Sequence, residues 1–184
     1  MTPKLPATPD FPAVPAAPEL QGLAPVYQTT AKILILGSMP GAASLAQQQY
    51  YAHPRNAFWP LMAQLAGFSS TLPYQEKVTA LNASGIALWD VIASCQRKGS
   101  LDSAIREEQA NDFAGFFASQ SDIVAIAFNG AKAWHSFKRY VLPLPILPAG
   151  IHLLTLPSTS PAHASLSFKE KLAQWQQLSA FLPD

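Results

Sequence analysis

The stretch from Ala31 to Trp59, AKILILGSMPGAASLAQQQYYAHPRNAFW, decides the fold. It opens on the apolar run Ile33-Leu34-Ile35-Leu36, too short for a helix and closed by Gly37. Such a run predicts a strand buried on both faces, as in parallel sheets covered by helices. The segment after it carries Ser38, Pro40, Gly41, Ser44, Tyr50, Tyr51, His53, Arg55 and Asn56, then ends in Phe58-Trp59. A long loop without regular structure is expected to be functional. In open α/β sheets, ligands bind beyond the carboxyl ends of the strands. The active site is therefore expected in this loop.

Outward from that stretch, three further strands are predicted at Ile86–Ile92, Ile123–Phe128 and Ile151–Leu156. Helices are expected at Ala57–Ala66, Tyr74–Ser84, Asp112–Ser119, Ala131–Arg139 and Phe168–Leu182, with a further one starting within Leu101–Glu108. In the last helix, Leu172, Trp175, Leu178 and Leu182 recur at helical spacing and predict a core-facing stripe. Alternating strands and helices argue for an α/β fold, a three-layer sandwich with a mostly parallel four-stranded central sheet flanked by helices. In such a sheet the loops after the strands gather at one edge, so residues distant in sequence meet there. Before this domain, expected over 26–184, residues 1–25 carry prolines at positions 3, 6, 9, 12, 15, 18 and 25. That spacing favours polyproline II and predicts a flexible or surface-draped leader.

Composition narrows the function classes. The 184 residues suit one domain with a sizeable core, and 49% are hydrophobic against 12% charged. A net charge of +1 does not advertise a nucleic-acid binder, so any DNA-binding face must come from local clustering of Lys and Arg. With Cys95 as the single cysteine, an intrachain disulfide and a cysteine-ligated iron–sulfur cluster are both excluded. The 4 histidines lie far apart, so no metal site is expected. No apolar stretch is long enough to span a bilayer and no secretory h-region opens the chain, which predicts a cytoplasmic protein without a membrane partner.

GSMPG followed by YYAHPRNAFW resembles the opening motif of the uracil-DNA glycosylase superfamily. It is most similar to the hypoxanthine-DNA glycosylase branch, with its GSxP turn and its Asn-x-Phe-Trp ending. Asp90 at a strand exit, FNGAKA from Phe128, and LPSTSPAHA from Leu156 continue the resemblance in order, over about 31–175. It implies a monofunctional glycosylase that removes deaminated bases from DNA, hypoxanthine first and uracil second, without a cofactor or a lyase step, acting as a monomer. A base must leave the stack and enter a pocket that reads its edge. Donors must meet the departing anion, and a water must be held at the sugar.

The resemblance implies roles for particular residues. Met39 stands where related branches place a water-activating Asn or Asp, and a thioether cannot orient water. The role then falls to Asn56, whose side-chain carbonyl accepts from a water; from the residues alone Asn56 reads as the cap of the following helix. Asp90 and Asn129 complete the expected catalytic set, with Asp90 also readable as a turn residue and Asn129-Gly130 as a plain turn. Gly37, Ser38, Met39 and Tyr51 are expected around the base, and Phe58 stacked on it. Arg97, Lys98, Ser100, Lys132, Ser158, Thr159 and Ser160 are the expected DNA contacts, with His163 as the wedge. Leu156 stands where uracil-specific members have a catalytic His. Two rivals stay open: a mismatch-specific uracil glycosylase, and a damage- or nucleotide-binding module that has lost catalysis.

Overall fold

A computed structural model describes residues 17–183. In chain order it contains β1 (Glu19–Gln21), β2 (Ile33–Gly37), α1 (Ala42–Gln47), α2 (Phe58–Ala66), α3 (Tyr74–Ala83), β3 (Ile86–Asp90), β4 (Ile92–Gln96), β5 (Arg106–Ala110), α4 (Phe113–Ser119), β6 (Ala125–Asn129), α5 (Ala131–Tyr140), β7 (His152–Leu156) and α6 (Phe168–Trp175). Short 3₁₀ turns lie at Asp102–Ala104 and Gln176–Phe181.

The central sheet has the order β3-β2-β6-β7, and every neighbouring pair is parallel. Its strands sort their side chains by the period of two that a pleated strand imposes. Ile33 and Ile35 face one layer, where α2, α3 and α6 supply Phe58, Leu61, Met62, Leu81 and Trp175. Leu34 and Leu36 face the other, where α4 and α5 supply Phe113, Phe116, Phe117, Ala133 and Phe137. This is the expected three-layer sandwich. Register brings Gly37 beside Asp90 and Asn129 beside Leu156, so four strands end together at one edge. The outer edge of β3 is closed by Val26, which exchanges two backbone hydrogen bonds with Leu88.

A second sheet, β1-β4-β5, is antiparallel and was not expected. Ile86–Ile92 is read from sequence as one strand because a single residue, Val91, separates β3 from β4. The helix expected from Leu101 is instead a 3₁₀ turn followed by β5, whose mostly exposed residues Arg106-Glu107-Glu108-Gln109 pair with β4 across two register shifts. The extra residues of such bulges bend and twist the ladder, and a solvated edge strand needs no apolar pattern. Residues 1–16 of the expected leader lie outside the described residues. Its remainder is no surface drape: Glu19-Leu20-Gln21, between Pro18 and Pro25, retains the N–H groups an edge strand needs and pairs with Ser94–Gln96. The long first loop contains α1, whose amino end has no side-chain cap to announce it. The last helix gives way at Gln176 to 3₁₀ structure, which carries Leu178 into the core.

Among the described residues no helix is long and apolar enough to cross a membrane. Trp175 ties the core to the loop after β7: its ring is fully buried and its indole Nε1 donates to the Pro157 carbonyl at 3.0 Å. Trp175→Phe should cost about 1 kcal/mol, the worth of one hydrogen bond. Trp175→Ala should cost about 3–5 kcal/mol through the cavity it leaves. Urea denaturation of the two variants measures the difference.

Candidate active site

At the carboxyl edge of the parallel sheet lies a cavity of about 490 Å³, within the range of small-molecule sites. Gly37, Ser38, Met39, Tyr51, Asn56, Asp90, Ser100, Asn129, Lys132, Ser158, Thr159, Ser160 and His163 all line it. The chain thus brings together residues from four loops, as expected of strands that end side by side.

The floor forms where β2 and β3 end. A side chain on Gly37 would put its Cβ 2.3 Å from Asp90 Oδ1 and 3.3 Å from the Tyr51 hydroxyl, so only glycine fits there. Asp90 is buried, and its Oδ2 has no hydrogen-bond partner among the described residues. Burial pushes its carboxyl up to about 7, with Asp102 adding to the rise and Arg97 opposing it. The Tyr51 hydroxyl is likewise buried, and burial beside Asp90 holds it well above the ordinary phenol range, with the nearby Asn129 amide opposing the rise.

Tyr51 takes a left-handed backbone at φ 54°, an outlier for a bulky residue. Hydrogen bonds on both sides enforce it. The Tyr50 N–H donates to the Tyr74 hydroxyl, the Trp59 indole to the Tyr50 carbonyl, and the Ala52 N–H to Ser44 Oγ. The strain turns the Tyr51 ring to the cavity, backed by Phe58 at a centroid distance of 3.8 Å. Phe58 itself is fully buried against Trp59 and Trp175 and does not line the cavity. The aromatic surface offered to a base therefore belongs to Tyr51, with Phe58 as its support.

Asn56 caps the start of α2 and also lines the cavity. Its Oδ1 accepts from the Phe58 N–H at 3.0 Å, covering a free donor. One lone pair of Oδ1 and the two amide hydrogens are left to face the cavity.

Asn129 and Thr159 are paired reciprocally. Asn129 Nδ2 donates to Thr159 Oγ1 and the Thr159 N–H donates to Asn129 Oδ1, both at 2.9 Å. The Thr159 carbonyl also accepts from the Ala57 N–H at 3.0 Å. Thr159 is thus structural and only 1% exposed, which corrects its expected place on a phosphate. Gly130, at φ 94°, lets Ser158 approach: a Cβ there would lie 2.9 Å from the Ser158 Cβ. Ser158 and Ser160 accept from the Ser160 and Ala162 N–H groups and hold the loop in shape. Lys171, absent from the sequence reading, donates to the His163 carbonyl at 2.8 Å and fixes the loop from behind.

The basic residues diverge most from expectation. Arg97 is 1% exposed and does not line the cavity, so it is no phosphate contact. Lys98 is exposed but also lies outside the lining. Lys132 lines the cavity while paired with Glu108, which also accepts from Tyr140 and Ser136. Ser100 lines the cavity and accepts from the Ala42 N–H at 2.9 Å. Next to it, Leu101 is 59% exposed at the lining, and Asp102 accepts from Ser38 Oγ at 2.6 Å. Neither Leu101 nor Asp102 carried a sequence signal. Among the described residues no cluster of His, Cys, Asp and Glu is grouped as a metal site would be.

The buried Asp90 makes stability depend on pH in a set direction. Its folded value, about 7, lies above its ordinary 3.8, so the native state holds this proton more tightly than the unfolded one. Stability from this group is greatest at acid pH and is lost as pH rises through that interval. Asp90→Asn keeps the neutral form, so it should stabilise the chain by roughly 2–4 kcal/mol at neutral to alkaline pH. The gain should vanish towards the ordinary carboxylate range. Thermal melting of both chains across pH measures it.

Three comparisons with known proteins agree. The family description "Uracil DNA glycosylase superfamily" matches residues 24–179. A hypoxanthine DNA glycosylase of Methanosarcina acetivorans is 35% identical over 158 residues, covering 85% of this chain and 95% of that protein. One from Methanosarcina barkeri is 38% identical over 114 residues, 61% of this chain and 72% of the relative. A solution NMR structure from Methanosarcina acetivorans, described as a candidate uracil DNA glycosylase, superposes with a TM-score of 0.72 at 34% identity. That match covers 87% of this chain and 98% of the other.

Proposed function

Because the chain belongs to the uracil DNA glycosylase superfamily, we propose that it hydrolyses the N-glycosidic bond of deaminated bases in DNA, hypoxanthine first and uracil second. The observation that carries this reading is the cavity itself. One cavity is lined together by a buried carboxyl with an unpartnered oxygen, two side-chain amides and an aromatic side chain held in a strained backbone.

In this reading an extruded base lies against Tyr51 and presents its edge to Asn129, whose amide carries both donor and acceptor atoms. The C1′–N bond breaks with its electron pair passing to the base. Water, accepted by Asn56 Oδ1, adds its oxygen to C1′ and gives up a proton to the Asp90 carboxylate. The base leaves as an anion and takes a proton from solvent. A neutral amide positions this water more than it deprotonates it, which suits a transition state already rich in oxocarbenium character. The negative Asp90 stabilises that positive sugar.

Ser100, Ser158 and Ser160, at the cavity wall, are the groups suited to phosphate oxygens, with their hydroxyl hydrogens still available. Lys98, exposed beside Ser100, adds a positive charge along the same path. His163 is the candidate wedge, and Leu101 adds exposed apolar surface to the lining. A lyase step through a Schiff base is not part of this proposal, because the cavity's lysine, Lys132, is engaged by Glu108. The partner is DNA carrying deaminated bases, the chain acts as a monomer, and its place is the cytoplasm. Residues 26–184 form the working domain in this reading, with β1 added to its edge.

Single-turnover cleavage followed by alkali, on duplexes carrying one hypoxanthine, uracil, xanthine or thymine, should give strand breaks fastest at hypoxanthine. Breaks confined to uracil would shift the substrate to that base, and binding without cleavage would favour a binding module. Asn56→Ala should slow excision about 100-fold or more, with DNA binding retained. It should also cost about 1 kcal/mol for the lost cap. Turnover that survives this change removes Asn56 from the chemistry.

A further inference from the structure

Arg97 is the expected DNA contact that the fold turns inward. It follows β4 directly, its backbone N–H donates to the Pro18 carbonyl, and only 1% of the residue is exposed. Its Nη2 donates to the Pro40 carbonyl, in the turn that supplies Gly37 and Ser38 to the cavity. Its Nε and Nη1 are buried with no hydrogen-bond partner, and among the described residues no carboxylate lies within salt-bridge distance. A buried guanidinium with idle donors is costly, and each such group calls for an explanation. Packing does not supply one, because an apolar side chain of similar volume in such a place is often neutral or better for stability.

We propose that Arg97 is a positioning residue for base excision: it holds the Pro40 turn from beneath and sets a buried positive charge against which the Asp90 carboxylate works. The inference rests on the glycosylase reading of the cavity. Four groups bear on Asp90. Asp102 repels its charge, the hydroxyls of Tyr50 and Tyr51 lie close enough to feel it, and Arg97 is the cation that favours it. Without that cation, burial and Asp102 act unopposed and the carboxyl keeps its proton to higher pH. The same buried charge also favours an anion leaving into the cavity, in the manner of a preorganised electrostatic site.

The test is the pH profile of single-turnover excision for the wild-type chain, Arg97→Met and Arg97→Lys. Excision by the wild type should fall on the acid side as Asp90 gains its proton. Arg97→Met should melt close to the wild type, yet lose about tenfold at neutral pH, with its acid limb displaced upward by about one pH unit or more. Arg97→Lys should return the limb towards its wild-type position. A methionine variant with an unmoved limb, whether its rate falls evenly or not at all, overturns the inference while leaving the glycosylase reading intact. Should that variant not fold, Arg97→Gln takes its place, a neutral side chain whose amide can still donate to the Pro40 carbonyl: an acid limb displaced upward supports the inference, and an unmoved limb overturns it. A wild-type chain that releases no base from any duplex overturns the reading of the site and this inference with it.

Discussion

The cavity depends on one residue's hydrogen bonds. Thr159 receives the Asn129 amide on its hydroxyl, gives its own N–H to the Asn129 carbonyl, and accepts the Ala57 N–H on its backbone oxygen. Three of the four loops are joined at that point. Asn129 is held by β6 and Ala57 opens onto α2, so both anchors belong to elements packed in the core. In a water-poor setting these bonds are strong and their absence would leave buried donors and acceptors unpaired. The loop after β7 is irregular, yet this pairing, together with Lys171 and Trp175 behind it, gives it the fixity of a strand.

From that constraint follows a division of labour. The parallel sheet supplies Gly37, Asp90 and Asn129 from strand ends in register, and register leaves little freedom in their spacing. The small antiparallel sheet sits to one side, and a separate apolar cluster of Met39, Ile92, Cys95 and Ile105 joins it to the turn after β2. Met39 thus brings packing to a position where related branches bring a polar side chain. In the proposed reading the chemical duty falls to Asn56 and Asp90, whose positions are set by α2 and β3.

Much of this was legible in the residues and some was not, for physical reasons. β2, β3 and β6 announce themselves because burial on both faces demands uninterrupted apolar runs, closed by Gly37, Asp90 and Asn129, while the edge strand β7, partly exposed, is marked by its leucines and closed by Pro157. β4 and β5 stay hidden because Arg106–Ala110 is mostly exposed and needs no apolar alternation, while β4 merges with β3 across Val91. Sequence names Phe58 and Tyr51 alike as aromatics, and only the left-handed turn at Tyr51 decides which one meets the cavity. Arg97-Lys98 reads as a solvated pair; a backbone acceptor at Pro40, distant in sequence, draws one of the two inside. At Asn56 the competing readings of cap and cavity residue were not exclusive, since an amide oxygen has two lone pairs.

The left-handed backbone at Tyr51 also limits how this protein can diversify. A φ of 54° excludes β-branched side chains and tolerates glycine, asparagine and a few others. Drift or engineering at this position therefore draws on a small alphabet, fixed by the main chain and not by the base to be recognised. A wider choice of stacking surface requires the turn from Tyr50 to Ala52 to be rebuilt first, together with the Tyr74, Trp59 and Ser44 contacts that hold it.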